Sequence, residues 1–74
     1  MEKIIREFGD FIKEKRKAKG YSQAEMAKKL NISQQAYSRY ELGLREMGLQ
    51  MILDVATILD FQPGEFFNRY VKTK

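Results

Sequence analysis

The sequence predicts an all-α fold, five helices around one core, and three observations predict it. Apolar residues recur at helical spacing in every periodic segment, and no stretch follows the two-residue alternation of a strand. The rhythm breaks at Gly20, at Asn31 to Ser33, at Gly43 to Gly48 and at Asp60 to Pro63, which leaves five segments. Nothing in the 74 residues reads as an internal repeat, a low-complexity tract or an interdomain linker, so residues 1–74 are expected to form a single domain.

In the first segment Ile4, Phe8 and Ile12 share one arc. Lys15 falls on the same arc and must extend its charge outward along its aliphatic stem. Arg16, four residues after Ile12, lies at the edge of that stripe. The second segment opens on "YSQAEM", where Ser22 is placed to cap, Glu25 to complete a capping box, and Tyr21 to staple onto Met26. It should close at Leu30, because Asn31 enters the left-handed region at low cost. "ISQQAY" repeats the start without the box: Ser33 caps, Ile32 and Tyr37 form the staple, and Gln34 and Gln35 open the helix. A link of only three residues forces two short helices to cross steeply, and the small Ala27 lets the backbones approach. This is helix-turn-helix geometry, formed by helices 2 and 3. In the fourth segment Leu49, Ile52, Leu53, Ala56 and Leu59 form the expected core stripe, with Met51, Val55 and Ile58 as a surplus apolar face. The fifth begins near Pro63, which suits a first turn, and sets Phe66, Phe67 and Tyr70 on one face.

Composition excludes several classes of function. Without cysteine or histidine there is no disulfide, thiol catalysis or ordinary zinc site. Glu25 is assigned to a cap, the other acids are scattered, and no glycine-rich phosphate loop occurs, so no catalytic residues, metal or cofactor are expected. "MEKIIREFGDF" is charged and lacks an apolar run long enough for a signal peptide or a membrane span, so cytoplasmic, nucleoid-associated residence is expected. The net charge is +4, unevenly spread: nine basic residues stand against three acidic ones from Lys13 to Arg45, while the remainder is slightly acidic. Such a block is the footprint of a polyanion binder, although a solvated lysine-rich surface would look similar.

On the third helix, Ala36, Tyr37 and Tyr40 occupy one arc and are expected to face the core, which turns Gln34, Gln35, Ser38 and Arg39 outward. A solvated face is ordinarily rich in lysine and glutamate. This one is short, polar and nearly uncharged, and glutamine can pair bidentately with adenine and arginine with guanine in the major groove.

From "IKEKRKAKGYSQAEMAKKLNISQQAYSRYELGLREMGLQMILDVATILDFQPGEFF" the chain resembles the Cro/CI-type (XRE-like) helix-turn-helix family of phage and bacterial transcriptional repressors. The resemblance implies a compact five-helix, lambda-repressor-like DNA-binding domain whose third helix enters the major groove. It implies base contacts from Gln34, Gln35, Ser38 and Arg39, and phosphate contacts from Gln23 and Arg45. It also suggests a structural salt bridge between Arg16 and Glu41; the position of Glu41, four residues after Tyr37 at the edge of its stripe, agrees. Four residues depart from the family pattern. Asn31 and Asp60 stand where glycine is usual, Lys15 where leucine is, and Met47 where proline opens the loop before helix 4.

The reading is a sequence-specific regulator of transcription, a repressor bound to double-stranded operator DNA as a homodimer, with no membrane partner or small-molecule ligand evident. The two-fold contact is expected from helix 5 and its flanks (Phe61, Phe66, Phe67, Tyr70 and Val71), backed by the surplus face of helix 4. Two alternatives stay open. One is an antitoxin-like protein whose main partner is another protein; the other is a protein-interaction module that kept the fold and lost DNA binding.

Overall fold

The computed structural model describes residues 2–72, with side chains from 3 to 70. Five helices follow in order: α1 (Glu2–Lys19), α2 (Gln23–Leu30), α3 (Gln34–Leu42), α4 (Leu49–Leu59) and α5 (Pro63–Lys72). Each break predicted from the sequence is a helix boundary, and each has an identifiable cause. The Ser22 hydroxyl accepts from the Glu25 amide at 3.0 Å while the Glu25 carboxylate accepts from the Ser22 amide at 2.8 Å, a complete capping box. Ser33 accepts from the Ala36 amide at 3.0 Å and starts α3. Asn31 and Asp60 end α2 and α4 in the left-handed region, with φ of 61° and 62°. Asparagine and aspartate adopt that conformation more readily than other non-glycine residues do, which is why the two departures from the glycine pattern leave the helix ends intact.

Phe11, Ile12, Met26, Tyr37, Val55, Leu59 and Phe66 lead a buried cluster to which all five helices contribute. Met47, where the family pattern has proline, points inward from the α3–α4 loop and is buried. Lys15 resolves its awkward place in the apolar arc by pairing with Glu65 of α5 and passing over the Phe11 ring. The fully exposed alternative is avoided, and the stem stays against the core. Phe8, Phe11, Phe61 and Phe66 meet in edge-on and tilted contacts with centroids 5.0 to 5.4 Å apart. Packing therefore absorbs Phe61 and Phe66.

Two expectations for the C-terminal half need correction. Leu49 and Leu53 do not belong to the core: they are 75% and 44% exposed. Val55, assigned to the surplus face, is completely buried, and Met51 and Ile58 pack partly against the core. The reason is the direction of approach. α4 is contacted by α1, α2 and α5, and this places Ile52, Val55, Ala56 and Leu59 along its inward line. The surplus apolar surface consists instead of Leu49 and Leu53, with Phe67 of α5 at 48% exposure. Tyr70 is half-buried, and the side chain of Val71 lies outside the described residues.

One close approach has no signal in the sequence. Gly9 of α1 is buried against α3, where an added Cβ would come within 2.5 Å of the Glu41 carbonyl oxygen and 2.6 Å of the Tyr40 carbonyl oxygen. Only glycine lets these two backbones meet.

Candidate nucleic-acid interface

The candidate surface is built on α3, whose position is fixed from behind. Tyr37 is fully buried and Tyr40 nearly so, and these two residues set the rotation of the helix. Ala36 on the same arc is only half-buried. Gln34, Gln35 and Arg39 are consequently exposed, and Ser38 is half-buried at the margin. All four line one open concavity, together with Gln23 at the start of α2 and Ser33 at the α3 cap. Two residues that sequence reasoning missed also line it: Leu42 and Leu44, at 59% and 72% exposure. Leu42 lies one turn beyond Ser38, off the tyrosine arc, and that spacing was the available signal. The far end of the surface is therefore apolar rather than polar.

Arg16 and Glu41 form the ion pair expected of them. Arg16 Nε donates to Glu41 Oε2 at 2.6 Å and Nη2 to Oε1 at 3.1 Å, with side chains 9% and 1% exposed. Arg16 Nη1 also donates to the Tyr21 carbonyl at 2.7 Å, and Gln23 Nε2 donates to Glu41 Oε1 at 2.9 Å. Burial alone would raise the Glu41 pKa, but the hydrogen bonds from Arg16 and the Gln23 amide, with the Tyr37 hydroxyl dipole close by, outweigh it, and the net shift is downward. Burial first, then the Glu41 carboxylate, pushes Tyr37 ionisation far above the phenol range. The Tyr37 hydroxyl feels that charge yet makes no hydrogen bond of good geometry.

Gln23 and Arg45 are placed differently from one another. Gln23 reaches the concavity but spends one amide hydrogen on Glu41. Arg45 lies outside it, its guanidinium 5.8 Å from the Tyr40 ring centroid, in an apolar hollow with Met47 and Ile52. The basic block is also less uniform than its sequence suggests, since Lys15, Arg16 and Lys19 are paired with Glu65, Glu41 and Asp60. Among the described residues no cluster of three or more histidine, cysteine, aspartate or glutamate side chains could hold a metal. No described helix is long and apolar enough to cross a membrane.

Residues 12–66, which hold the capped pair of short helices and their concave face, are matched by a family model described as "Helix-turn-helix". The chain belongs to the helix-turn-helix family, of the XRE type. That family is a non-enzymatic class. Two similar proteins come from Bacillus subtilis strain 168. The first, the SPbeta prophage-derived uncharacterized HTH-type transcriptional regulator YonR, is 42% identical over 52 residues, covering 70% of this chain and 48% of the relative. The second, the uncharacterized HTH-type transcriptional regulator YqaE, is 42% identical over 53 residues, covering 72% and 46%. The chain thus spans about half the length of these curated relatives.

Proposed function

We propose that the chain is a sequence-specific regulator of transcription that binds double-stranded DNA and reads the major groove with α3. The observation that carries this is the concavity in which Gln34, Gln35, Ser38 and Arg39 converge beside the start of α2. Gln34 and Gln35 lie in the first turn, the part of a recognition helix that approaches base edges, and offer an amide donor and acceptor to adenine. Arg39 offers a fork to guanine, and Ser38 a hydroxyl to either. Gln23 retains a second amide hydrogen for a phosphate oxygen, and the α2 N-terminus favours an anion there. Arg45 holds phosphate from the loop beyond α3.

One domain of this kind reaches only a few base pairs. A homodimer on a two-fold symmetric operator, with recognition helices about 34 Å apart, supplies the remaining specificity. The exposed Leu49, Leu53 and Phe67 support self-association through α4 and α5. Repression then follows from occupancy of the operator, in the cytoplasm at the nucleoid, by residues 1–74 acting as one domain. The regulator names of the two relatives agree with this reading.

Selection of binding sites from random duplexes, followed by substitution, tests it. Arg39→Ala should cost about 1 to 3 kcal/mol at one base position and relax preference there. Arg45→Ala should weaken all duplexes alike and lessen the dependence on salt. Equal losses on selected and random DNA for Arg39→Ala would refute the assignment of base reading to α3.

A further inference from the structure

The exposed cations of α1 divide by whether they have a partner. Lys15 and Lys19 are tied to Glu65 and Asp60. Lys17 is exposed and unpaired among the described residues but lines none of the hollows described; Lys3, Arg6 and Lys13 are exposed, and none makes an ion pair or side-chain hydrogen bond among the described residues. These three line one hollow whose far wall includes Gln23 and Leu42. Gln23 and Leu42 also line the concavity of α3, so the two surfaces are continuous.

Arg6 is seated rather than loosely attached. Its Cα and Cγ lie so close to Gly43, the left-handed cap of α3 at φ 72°, that an added Cβ would come within 2.7 and 2.5 Å of them. The aliphatic stem therefore crosses the end of the recognition helix, beside the loop that carries Leu42 and Leu44. Lys13 follows Arg6 by seven residues and falls on the same side of α1.

We infer that Lys3, Arg6 and Lys13 hold the sugar-phosphate backbone of the same duplex whose bases α3 reads, extending the interface along α1. The inference rests on the DNA-reading role of α3. From Lys3 to Lys13 the helix runs about 15 Å, the rise of about four nucleotides at about 3.4 Å each. The acids nearby define the edge of this surface. Glu41 lines the hollow but is committed to Arg16 and Gln23. Glu7 and Asp10 line it too, and both also line the neighbouring hollow with Glu14 and Arg69, which places them on the ridge between the two flanks of α1. Asp10 consequently repels phosphate, and its removal strengthens binding.

The test is fluorescence anisotropy of the full chain with a selected duplex and a random duplex over a range of salt concentrations. Arg6→Gln with Lys13→Gln removes both charges and keeps Cβ and Cγ, the part of the Arg6 stem that lies against Gly43. It should weaken binding to both duplexes by the same factor, roughly tenfold, and reduce the slope of log K against log salt by about 0.9 for every phosphate no longer neutralised. Asp10→Asn should tighten binding to both duplexes, and it supplies an independent outcome should the double variant fold poorly by circular dichroism. Lys15→Gln, on the Glu65 flank, should leave the slope unchanged. Wild-type protein that prefers the selected duplex, together with variants that match it in affinity and slope, overturns this surface alone. Wild-type protein that binds no duplex at low salt overturns the reading of α3 and this surface with it.

Discussion

Removing one partner of the Arg16–Glu41 pair should destabilise the chain far more than removing both. The Glu41 side chain is 1% exposed and accepts from Arg16 twice and from Gln23 once. Arg16→Met would leave that carboxylate buried with a single amide donor, and would also strip the Tyr21 carbonyl of its guanidinium. Glu41→Leu would leave a guanidinium, which cannot discharge itself by losing a proton, with the Tyr21 carbonyl alone. Breaking a buried pair in this way costs about 3 kcal/mol, whereas replacing both members by apolar side chains of similar volume is close to neutral. For 74 residues the whole stability is about 4 to 11 kcal/mol, so each single variant should lose about a quarter to three quarters of it. The double variant Arg16→Met/Glu41→Leu should recover about 2 kcal/mol or more relative to the sum of the singles. The protein has no tryptophan, so urea unfolding should be followed by helical circular dichroism. Midpoints should shift with the denaturant slope unchanged. Additive effects across the cycle would refute this reasoning, since additivity means that the two charges do not support one another.

Three further outcomes are expected. Gly9→Ala should destabilise by about 1 to 3 kcal/mol through a backbone clash between α1 and α3, and a neutral result in the same unfolding assay would contradict the close approach. The depressed pKa of Glu41 adds stability that is fully present above its ordinary value near 4.5 and is lost as pH falls through the depressed value. Stability should therefore fall on acidification below about pH 4.5, and less steeply in Glu41→Gln; identical acid profiles for the two proteins would count against it. The wild-type chain should sediment as a dimer at micromolar concentration, and Leu53→Glu or Phe67→Glu should shift it to monomer. A strict monomer in every case would remove α4 and α5 as the self-association surface.

What the sequence made legible was mainly local chemistry. Ser22, Glu25 and Ser33 announce helix starts because capping is decided within four residues, and Asn31 and Asp60 announce helix ends for the same reason. The Arg16–Glu41 pair was also legible, because a charge at the edge of an apolar stripe requires a partner and the family resemblance names the same two residues. Features that depend on the approach of distant elements were not. The spacing of apolar residues along α4 does not say which flank α1, α2 and α5 cover, so it points Leu49 and Leu53 inward and Val55 outward, the reverse of their places in the fold. Gly9 carries no turn signal, and its role exists only because α3 passes against it. For the candidate site, the polar members of the concavity were legible from rotation about α3. Leu42 had only its spacing from Ser38 as a signal and Leu44 had none, because exposure of an apolar side chain is a property of the assembled surface. Total charge was likewise a poor guide, since long-range pairs with Glu65 and Asp60 neutralise part of the basic block.

Glu41 belongs to α3, receives two hydrogen bonds from α1 through Arg16 and one from α2 through Gln23, and so joins three helices at a single carboxylate. Apolar attraction is itself non-directional, and the buried rings of Tyr37 and Tyr40 orient α3 through the shape of the space they fill. Hydrogen bonds to a carboxylate in a low-dielectric setting are steeply directional. The Gln23–Glu41 bond thus acts as a charged pin between α2 and α3, adding a directional restraint to the packing of Met26, Ala27 and Tyr37. A variant with the pin replaced by well-fitted leucine and methionine should keep its fold while losing this directional restraint, so its aim at DNA should suffer more than its stability.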